Sequence, residues 1–154
     1  MAEMRQGLAA GLTGGDTLYQ PYGLGLLAEA YGAGGHPNEG LEVLAEALAV
    51  TDTTELRYYA AELYRLKGAL LQQQAVPDAA QAAACFQQAL DVARQQQAKS
   101  WELRAATSLA RLWQHQGKRQ EAYDLLAPVY HWFTEGFDTA DLQEAKTLLD
   151  QLQP

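Results

Sequence analysis

Gly23, Gly25 and Ala28 have the spacing of a GxGxx(G/A) motif. In dinucleotide-binding proteins this motif follows a β-strand, and the turn presents backbone amides to a pyrophosphate. Here Pro21 precedes the motif, and a helical periodicity of apolar residues runs through it. We therefore expect these small residues to permit close packing between helices, and we predict no nucleotide cofactor.

The histidines and the single cysteine are the other residues that could bind a metal or act as nucleophiles. His36, His115 and His131 are far apart and lack the i, i+4 spacing and neighbouring carboxylates of a metal site. Cys85 lies beside Phe86 on an apolar helix face, with no neighbouring basic residue to lower its pKa. No Ser-His-Asp or paired-carboxylate arrangement follows from the spacing. The sequence predicts no enzyme activity, no metal and no cofactor, with the histidines exposed and the thiol in the core.

A group of aromatic residues near the C-terminus permits two interpretations. Tyr130, Trp132, Phe133 and Phe137 are close in sequence and could form a ligand box. Large aromatic side chains contribute most to stability when they are buried. The simpler expectation is that these four rings pack the last pair of helices against the final helix.

Composition restricts the class of partner and the compartment. The 154 residues carry a formal net charge of -8 and are 48% apolar, which is enough to bury a sizeable core. An acidic chain without lysine and arginine clusters is a poor ligand for nucleic acid or an anionic membrane. The single cysteine, the lack of a long apolar run and the lack of a signal peptide at the start predict a cytoplasmic protein.

The chemistry-bearing residues must be positioned by helices, because apolar residues recur at helical spacing along most of the chain. Residues 55–97 predict two helices joined by a turn that contains Pro77, and Ala82 and Phe86 begin the apolar face of the second helix. A mid-helix glycine destabilises by about 1 kcal/mol, so Gly68 indicates close approach of the partner helix. Further helices are predicted over residues 2–12, 17–33, 38–50, 100–116, 118–135 and 140–153.

Several helix ends and irregularities can also be predicted. Residues 51–54 are a threonine-rich cluster that predicts a turn with N-cap candidates for the central pair. Gly136 is expected to end the helix before it, and Pro128 to kink that helix. Asp138 or Thr139 is expected to cap the final helix.

The predicted helices repeat. Tyr31, Leu71 and Trp113 occupy equivalent places, 40 and 42 residues apart. A fixed period in helical pairs is typical of a solenoid, in which each pair buries its face by stacking on its neighbours. The equivalent small positions are Gly40, Ala82 and Ala122, and the equivalent large positions are Leu44, Phe86 and Leu126.

These positions resemble the tetratricopeptide repeat (TPR), stretched beyond its usual length. The resemblance implies an all-α, TPR-like right-handed α-solenoid forming a single domain over residues 1–154. Its three helical hairpins are repeats at about 17–52, 55–97 and 99–135, followed by a C-terminal capping helix at 138–153.

Two segments carry a narrower resemblance. AELYRLKGALL with CFQQALDVAR, and LAPVYHWFTEGFDTADLQEAKTLLD, are similar to the C-terminal TPR region of bacterial class III adenylate/guanylate cyclase and STAND-type ATPase signalling proteins. The chain has no GxxxxGK[ST] loop, so the resemblance does not imply ATPase or cyclase activity. It implies a non-catalytic regulatory module for protein–protein interaction.

In TPR arrays the first helix of each pair lines a concave groove, and this resemblance selects the candidate partner-binding residues. Arg65, Arg104 and Arg111 are notable among them because a guanidinium holds a carboxylate through two parallel hydrogen bonds. The expected partner is a protein or peptide segment with acidic groups. Alternatively, the arginines pair with Glu29, Glu62 and Glu102 inside the array. The candidate groove residues are Tyr22, Glu29, Glu62, Arg65, Gln72, Arg104, Arg111, Gln114 and His115.

Two other functions remain open. A small-molecule sensor would use the same concave surface as a pocket. A homodimer or larger homo-oligomer would form through the ends of the array, where the predicted helix at residues 2–12 has no preceding neighbour to cover Leu8 and Leu12.

Overall fold

The computed structural model describes residues 20–54 and 57–153, and these form an all-α structure with no β-strand in either range. Short loops join consecutive helices, and Pro77 lies in one of these loops, as predicted. The helices are α1 (Gln20–Ala33), α2 (Pro37–Thr54), α3 (Ala60–Gln73), α4 (Ala79–Gln95), α5 (Lys99–His115), α6 (Arg119–Trp132) and α7 (Ala140–Leu152).

The helices pack in sequential pairs. The pairs α1 with α2 and α3 with α4 have the most extensive contacts, and α5 contacts α4 and α6 to the same extent. Each of the three pairs also contacts the next helix along the chain. The helices α1, α3, α5 and α7 contact one another in that order and form a row. In the described part of the chain, the second helices α2, α4 and α6 do not contact one another.

Small residues at helix crossings determine how closely the helices approach. A Cβ atom added to Gly68 of α3 would lie 2.6 Å from Cε1 of Phe86, a buried residue of α4. Gly25 of α1 similarly faces the Tyr59 ring, whose Cε1 would lie 2.9 Å from an added Cβ. Both glycines therefore serve close packing, and the interpretation of Gly25 as part of a helix crossing is confirmed.

Apolar faces predicted from the spacing are buried in the structure. On α4, Ala82, Phe86, Ala89 and Ala93 are each at most 1% exposed. The stripe predicted for α7 is also buried, and it packs in the same core cluster as the apolar faces of α4, α5 and α6. The residues of that stripe are Leu142, Ala145, Leu148, Leu149 and Leu152.

The turn predicted at residues 51–54 is wrong, because these residues form the last turn of α2. Thr51 is buried, and its Oγ1 donates a hydrogen bond of 2.7 Å to the carbonyl oxygen of Leu48. A threonine that bonds back to its own helix in this way can be accommodated inside it. α3 begins at Ala60, where Tyr59 occupies the N-cap position without a side-chain capping hydrogen bond.

The last loop also differs from prediction. α6 ends at Trp132, because the backbone of Phe133 is extended and its ring packs against the core. Gly136 therefore lies in the loop, with a φ of 79°. Thr139 is the N-cap residue of α7, but its side chain makes no capping hydrogen bond. Pro128 lies inside α6 and its kink stays a prediction, while the helix predicted at residues 2–12 lies outside the described residues.

Candidate functional site

A cavity of about 240 Å³ lies between α3, α5 and α7. Spacings of seven and four residues place Arg104, Arg111 and His115 along one side of α5, and a spacing of seven places Arg65 and Gln72 along one side of α3. All five line the cavity, as five of the nine residues predicted for the groove. The structure therefore brings the three notable arginines to one place.

A buried carboxylate, Glu62 of α3, holds two of these arginines. Arg65 donates from Nε to Oε2 at 2.9 Å and from Nη2 to Oε1 at 2.5 Å. Arg104 Nη1 lies 2.8 Å from the same Oε1. Glu62 is only 2% exposed, and removing one partner of a buried ion pair destabilises by about 3–5 kcal/mol. Glu62, Arg65 and Arg104 thus form an ion-pair triad that fixes both guanidinium groups and links α3 to α5.

Electrostatic effects at the triad favour a charged guanidinium and a neutral phenol. Burial alone would lower the pKa of Arg65, but the hydrogen bond and negative charge of Glu62 raise it overall. Nearby, burial raises the pKa of Tyr59 to about 12, with further contributions from the charges of Glu62 and Glu29. Arg65 therefore remains a cation and Tyr59 a neutral hydroxyl at physiological pH.

α7 supplies two more carboxylates to the cavity. Arg111 Nη1 donates to Oε1 of Glu144 at 2.5 Å, and Arg104 Nε lies 3.6 Å from Oδ1 of Asp141. Both carboxylates are about half exposed, at 48% for Glu144 and 43% for Asp141. Three arginines and three carboxylates consequently meet around one cavity.

The predicted internal partners of the arginines are only partly those in the structure. Glu62 pairs with Arg65 and Arg104, as that alternative proposed, whereas Glu102 pairs elsewhere and Arg111 pairs with Glu144. The partners on α7 were missed because 33 residues separate Arg111 from Glu144. The sequence does contain an indication of these partners. Asp141 and Glu144 are three residues apart and are not part of the apolar stripe of α7, so they share an acidic side of that helix.

The other predicted groove residues lie outside this cavity. Tyr22 and Glu29 are on α1, where the Tyr22 ring meets the edge of Tyr59 at a centroid distance of 5.2 Å. Gln114 Nε2 donates to Oε1 of Gln151 at 3.1 Å and links α5 to the end of α7. These residues lie on the first helices α1 and α5. The charge of Glu29 contributes to the raised pKa of Arg65. Glu62, the fourth predicted residue outside the cavity, binds Arg65 and Arg104. The contacts of Tyr22 and Gln114 given above do not involve the arginines.

A second buried carboxylate, Glu102, lies near the start of α5. It accepts from Nε of Arg94 at 3.2 Å and from Nζ of Lys99 at 3.0 Å. A more open cavity beside it is lined by Trp132, whose ring centroid is 5.3 Å from Lys99 Nζ. This arrangement links α4 and α5 close to solvent.

The expectation that the four C-terminal aromatic rings pack the last pair of helices against the final helix holds only in part. Trp132 is 57% exposed and Phe137 is 45% exposed, whereas Tyr130 and Phe133 pack partly buried against the core. Because α6 ends at Trp132, this indole covers the Lys99 side chain instead of entering the space between α6 and α7. Phe137 nevertheless packs against Tyr130 at a centroid distance of 5.9 Å, so Trp132 is the member of the group that departs most from the expectation.

The cysteine and the histidines, the other residue types considered for chemistry, lie in different environments. Cys85 is buried, and burial raises the pKa of its thiol, which disfavours the thiolate. His36 and His131 are exposed, while His115 lines the cavity. Within residues 20–54 and 57–153, no group of His, Cys, Asp and Glu side chains could hold a metal ion, and none of the helices combines the length and apolarity needed to cross a membrane.

Comparison with known proteins gives no relative from which a function could be transferred. No protein-family model matches the sequence, and no curated protein matches it significantly. We therefore infer a function from the arginines of α3 and α5, their carboxylate partners and the cavity that they line.

Proposed function

We propose that the chain is a non-catalytic interaction module that binds carboxylate groups of a protein or peptide partner at the surface formed by α3, α5 and α7. The observation that carries this proposal is the convergence of Arg65, Arg104 and Arg111 on one cavity. The chain as a whole has a net charge of -8, so this concentration of guanidinium groups is a local exception. Guanidinium groups are the side chains best suited to hold carboxylates in fixed geometry.

We propose a TPR-like right-handed α-solenoid as the architecture, and the order of helix contacts supports a row of stacked helical pairs. The first helices of successive pairs contact one another, whereas the second helices in the described part of the chain do not. Closer spacing of the first helices curves such a row toward them and makes their side concave. The cavity lies on this side, where a partner segment would contact several helices at once.

The arginines retain capacity for an additional carboxylate. A guanidinium has five N–H groups, and the contacts of Arg111 described above use one of them. Arg111 is also 44% exposed, so a partner can reach it from solvent. Arg65 and Arg104 are oriented by Glu62 before any partner arrives, which reduces the conformational entropy lost on binding.

The size of the cavity favours acidic side chains over a small-molecule effector. Pockets for drug-sized ligands have volumes of about 300–1,000 Å³. The cavity between α3, α5 and α7 has about 240 Å³, and its walls combine charged side chains with the apolar side chains of Ala69, Phe86 and Leu112. It accommodates one or two carboxylate side chains that extend from a partner lying along the groove.

The proposed binding would give the module a regulatory role. A central and a C-terminal segment of the chain resemble repeat regions of bacterial signalling proteins that also carry cyclase or ATPase domains, and this resemblance implies a cytoplasmic, non-catalytic module. In such a protein, occupation of the arginine cavity by an acidic partner segment would report the presence of that partner.

Replacement of Arg111 by alanine tests the proposal without disturbing the buried triad. The probe is a fluorescein-labelled, glutamate-rich peptide, and binding is measured by fluorescence anisotropy at fixed salt. We expect Arg111→Ala to weaken binding about tenfold, because a hydrogen bond to a charged group contributes about 1.5–3 kcal/mol. Lys118→Ala removes an equal charge from an exposed position and is the matched control. Affinities within about twofold of each other for all three proteins would contradict the proposal.

A further inference from the structure

Two carboxylates of the chain already occupy the arginine cavity. Glu144 accepts a hydrogen bond from Arg111, and Asp141 lies beside Arg104. Both belong to α7, the last helix of the described chain. Part of the surface of Arg104 and Arg111 that a partner's acidic groups would use is therefore occupied by side chains that offer the same chemistry.

From this geometry we propose that Asp141 and Glu144 are internal stand-ins for the carboxylates of the partner, which displace them on binding. The inference rests on the proposed function and names its ligand more closely. The partner is an acidic helical segment with two carboxylates three residues apart. Its affinity is held down by competition from α7.

The spacing of the charged groups determines this motif. Asp141 and Glu144 are three residues apart, which places them one above the other on a single side of α7. Arg104 and Arg111 are seven residues apart, about two turns of α5, and their long side chains converge on this pair. A partner helix with acidic residues at i and i+3 reproduces the same arrangement, whereas acidic residues at i and i+2 do not share a helix face.

Exchange of the carboxylates does not require α7 to leave the fold. α7 is anchored by its buried apolar stripe, which belongs to the same core cluster as α4, α5 and α6. The two ion pairs lie at the solvent edge, with Asp141 and Glu144 about half exposed, and pairs of this kind contribute little to stability. Glu62 is not exchangeable in this way, because it is buried beneath both of its arginines.

The test removes the negative charges of Asp141 and Glu144 while keeping side chains of the same size. The variant carries Asp141→Asn and Glu144→Gln, and the control carries Glu121→Gln and Asp150→Asn, which remove the same charge from exposed sites away from the cavity. The probes are two labelled helical peptides that differ only in acidic spacing, i, i+3 against i, i+2. We expect the variant to bind the i, i+3 peptide about fivefold more tightly than the natural chain, with no change for the control.

Other results of this experiment would contradict either the inference alone or both the inference and the proposed function. Unchanged or weaker binding by the variant, equal tightening in the control, or equal tightening for both peptides would overturn the inference while the proposed function stands. Failure of the natural chain and the variant to bind either peptide at millimolar concentration would overturn both. Circular dichroism melting verifies the fold of each protein, and Glu144→Gln alone, at a half-exposed pair, replaces the double variant if that one is unstable.

Discussion

Glu62 and Glu102 lie 40 residues apart, each in the first turn of a first helix and each buried and held by two cations. They differ in where those cations come from. Glu62 binds Arg65 on its own helix and Arg104 on the next pair, whereas Glu102 binds Lys99 and the nearby Arg94. Both carboxylates therefore join one helical pair to the next. Glu62 does so between the first helices α3 and α5, whereas Glu102 does so across the short loop between the consecutive helices α4 and α5.

The surroundings of the cations make the difference functional. Arg65 is 14% exposed, and Arg65 and Arg104 line a cavity that Asp141 and Glu144 of α7 also line. Arg94 is 47% exposed and meets solvent beside the Trp132 ring. The comparison indicates that charge pairing alone does not make a binding site. The Glu62 region is distinguished by oriented guanidinium groups that several helices present together.

The largest expected effect is on stability. Glu62→Gln should lower the free energy of unfolding by about 3 kcal/mol, because it leaves the largely buried Arg65 without its counter-charge and removes one of the two carboxylates beside Arg104. Glu102→Gln should lower it by about 1 kcal/mol, because solvent screens Arg94 and Lys99. Urea denaturation of both variants measures the difference. Equal losses would mean that the two carboxylates contribute equally to stability, and they would contradict the distinction drawn between Glu62 and Glu102.

A smaller effect is expected at alkaline pH, where Tyr59 reports on the Glu62 region. Its pKa in the folded chain is about 12, against 10.0 when unperturbed, so the unfolded state loses its proton first as the pH rises. The stability supplied by the protonated Tyr59 is complete below pH 10 and declines as the pH approaches 12. Tyr59→Phe should flatten this part of the pH–stability curve, measured by urea denaturation.

Tyr22→Phe is the control for that experiment, because Tyr22 is a neighbouring ring that is more exposed than Tyr59. We expect the free energy of unfolding of the natural chain and of Tyr22→Phe to fall by the same amount between about pH 10 and pH 12. If Tyr59→Phe lost stability just as steeply as the other two, the raised pKa of Tyr59 would not be coupled to folding.

The smallest effect is expected at Trp132. This side chain is 57% exposed, and its contact with Lys99 is a surface cation–π interaction worth about 0.5–1 kcal/mol. Trp132→Ala should therefore lower the free energy of unfolding by no more than about 1 kcal/mol and leave the affinity for the acidic peptide unchanged. Calorimetric titration measures that affinity, and a large loss would move the binding site to the Glu102 region.

The helices and their buried faces could largely be predicted, because helical periodicity is a local property of the sequence. The faces of α4 and α7 are buried as the spacing of their apolar residues indicated. The ends of α2 and α6 could not be placed in the same way. The Thr51 hydroxyl bonds back to its own helix, and Phe133 leaves α6 to pack against the core. Both outcomes depend on tertiary surroundings.

The candidate site shows the same division between local and distant contacts. Arg65 and Glu62 are three residues apart, and their pairing follows from helix geometry. The pairing of Arg111 with Glu144 crosses from α5 to α7, and only the packing of these helices brings the two together. The resemblance to TPR arrays selected the arginines as candidate groove residues, but it did not identify the carboxylates of α7 that lie beside them.

The most direct measurement follows the arginine Nε–H groups by NMR while the glutamate-rich peptide is added. The account predicts saturable shifts for Arg104 and Arg111, which line the cavity, and none for Arg94, which serves as the internal reference. Saturation should give one dissociation constant for both signals. Unchanged signals from Arg104 and Arg111, or equal shifts at Arg94, would contradict the claim that the arginine cavity of α3 and α5 is the carboxylate-binding site.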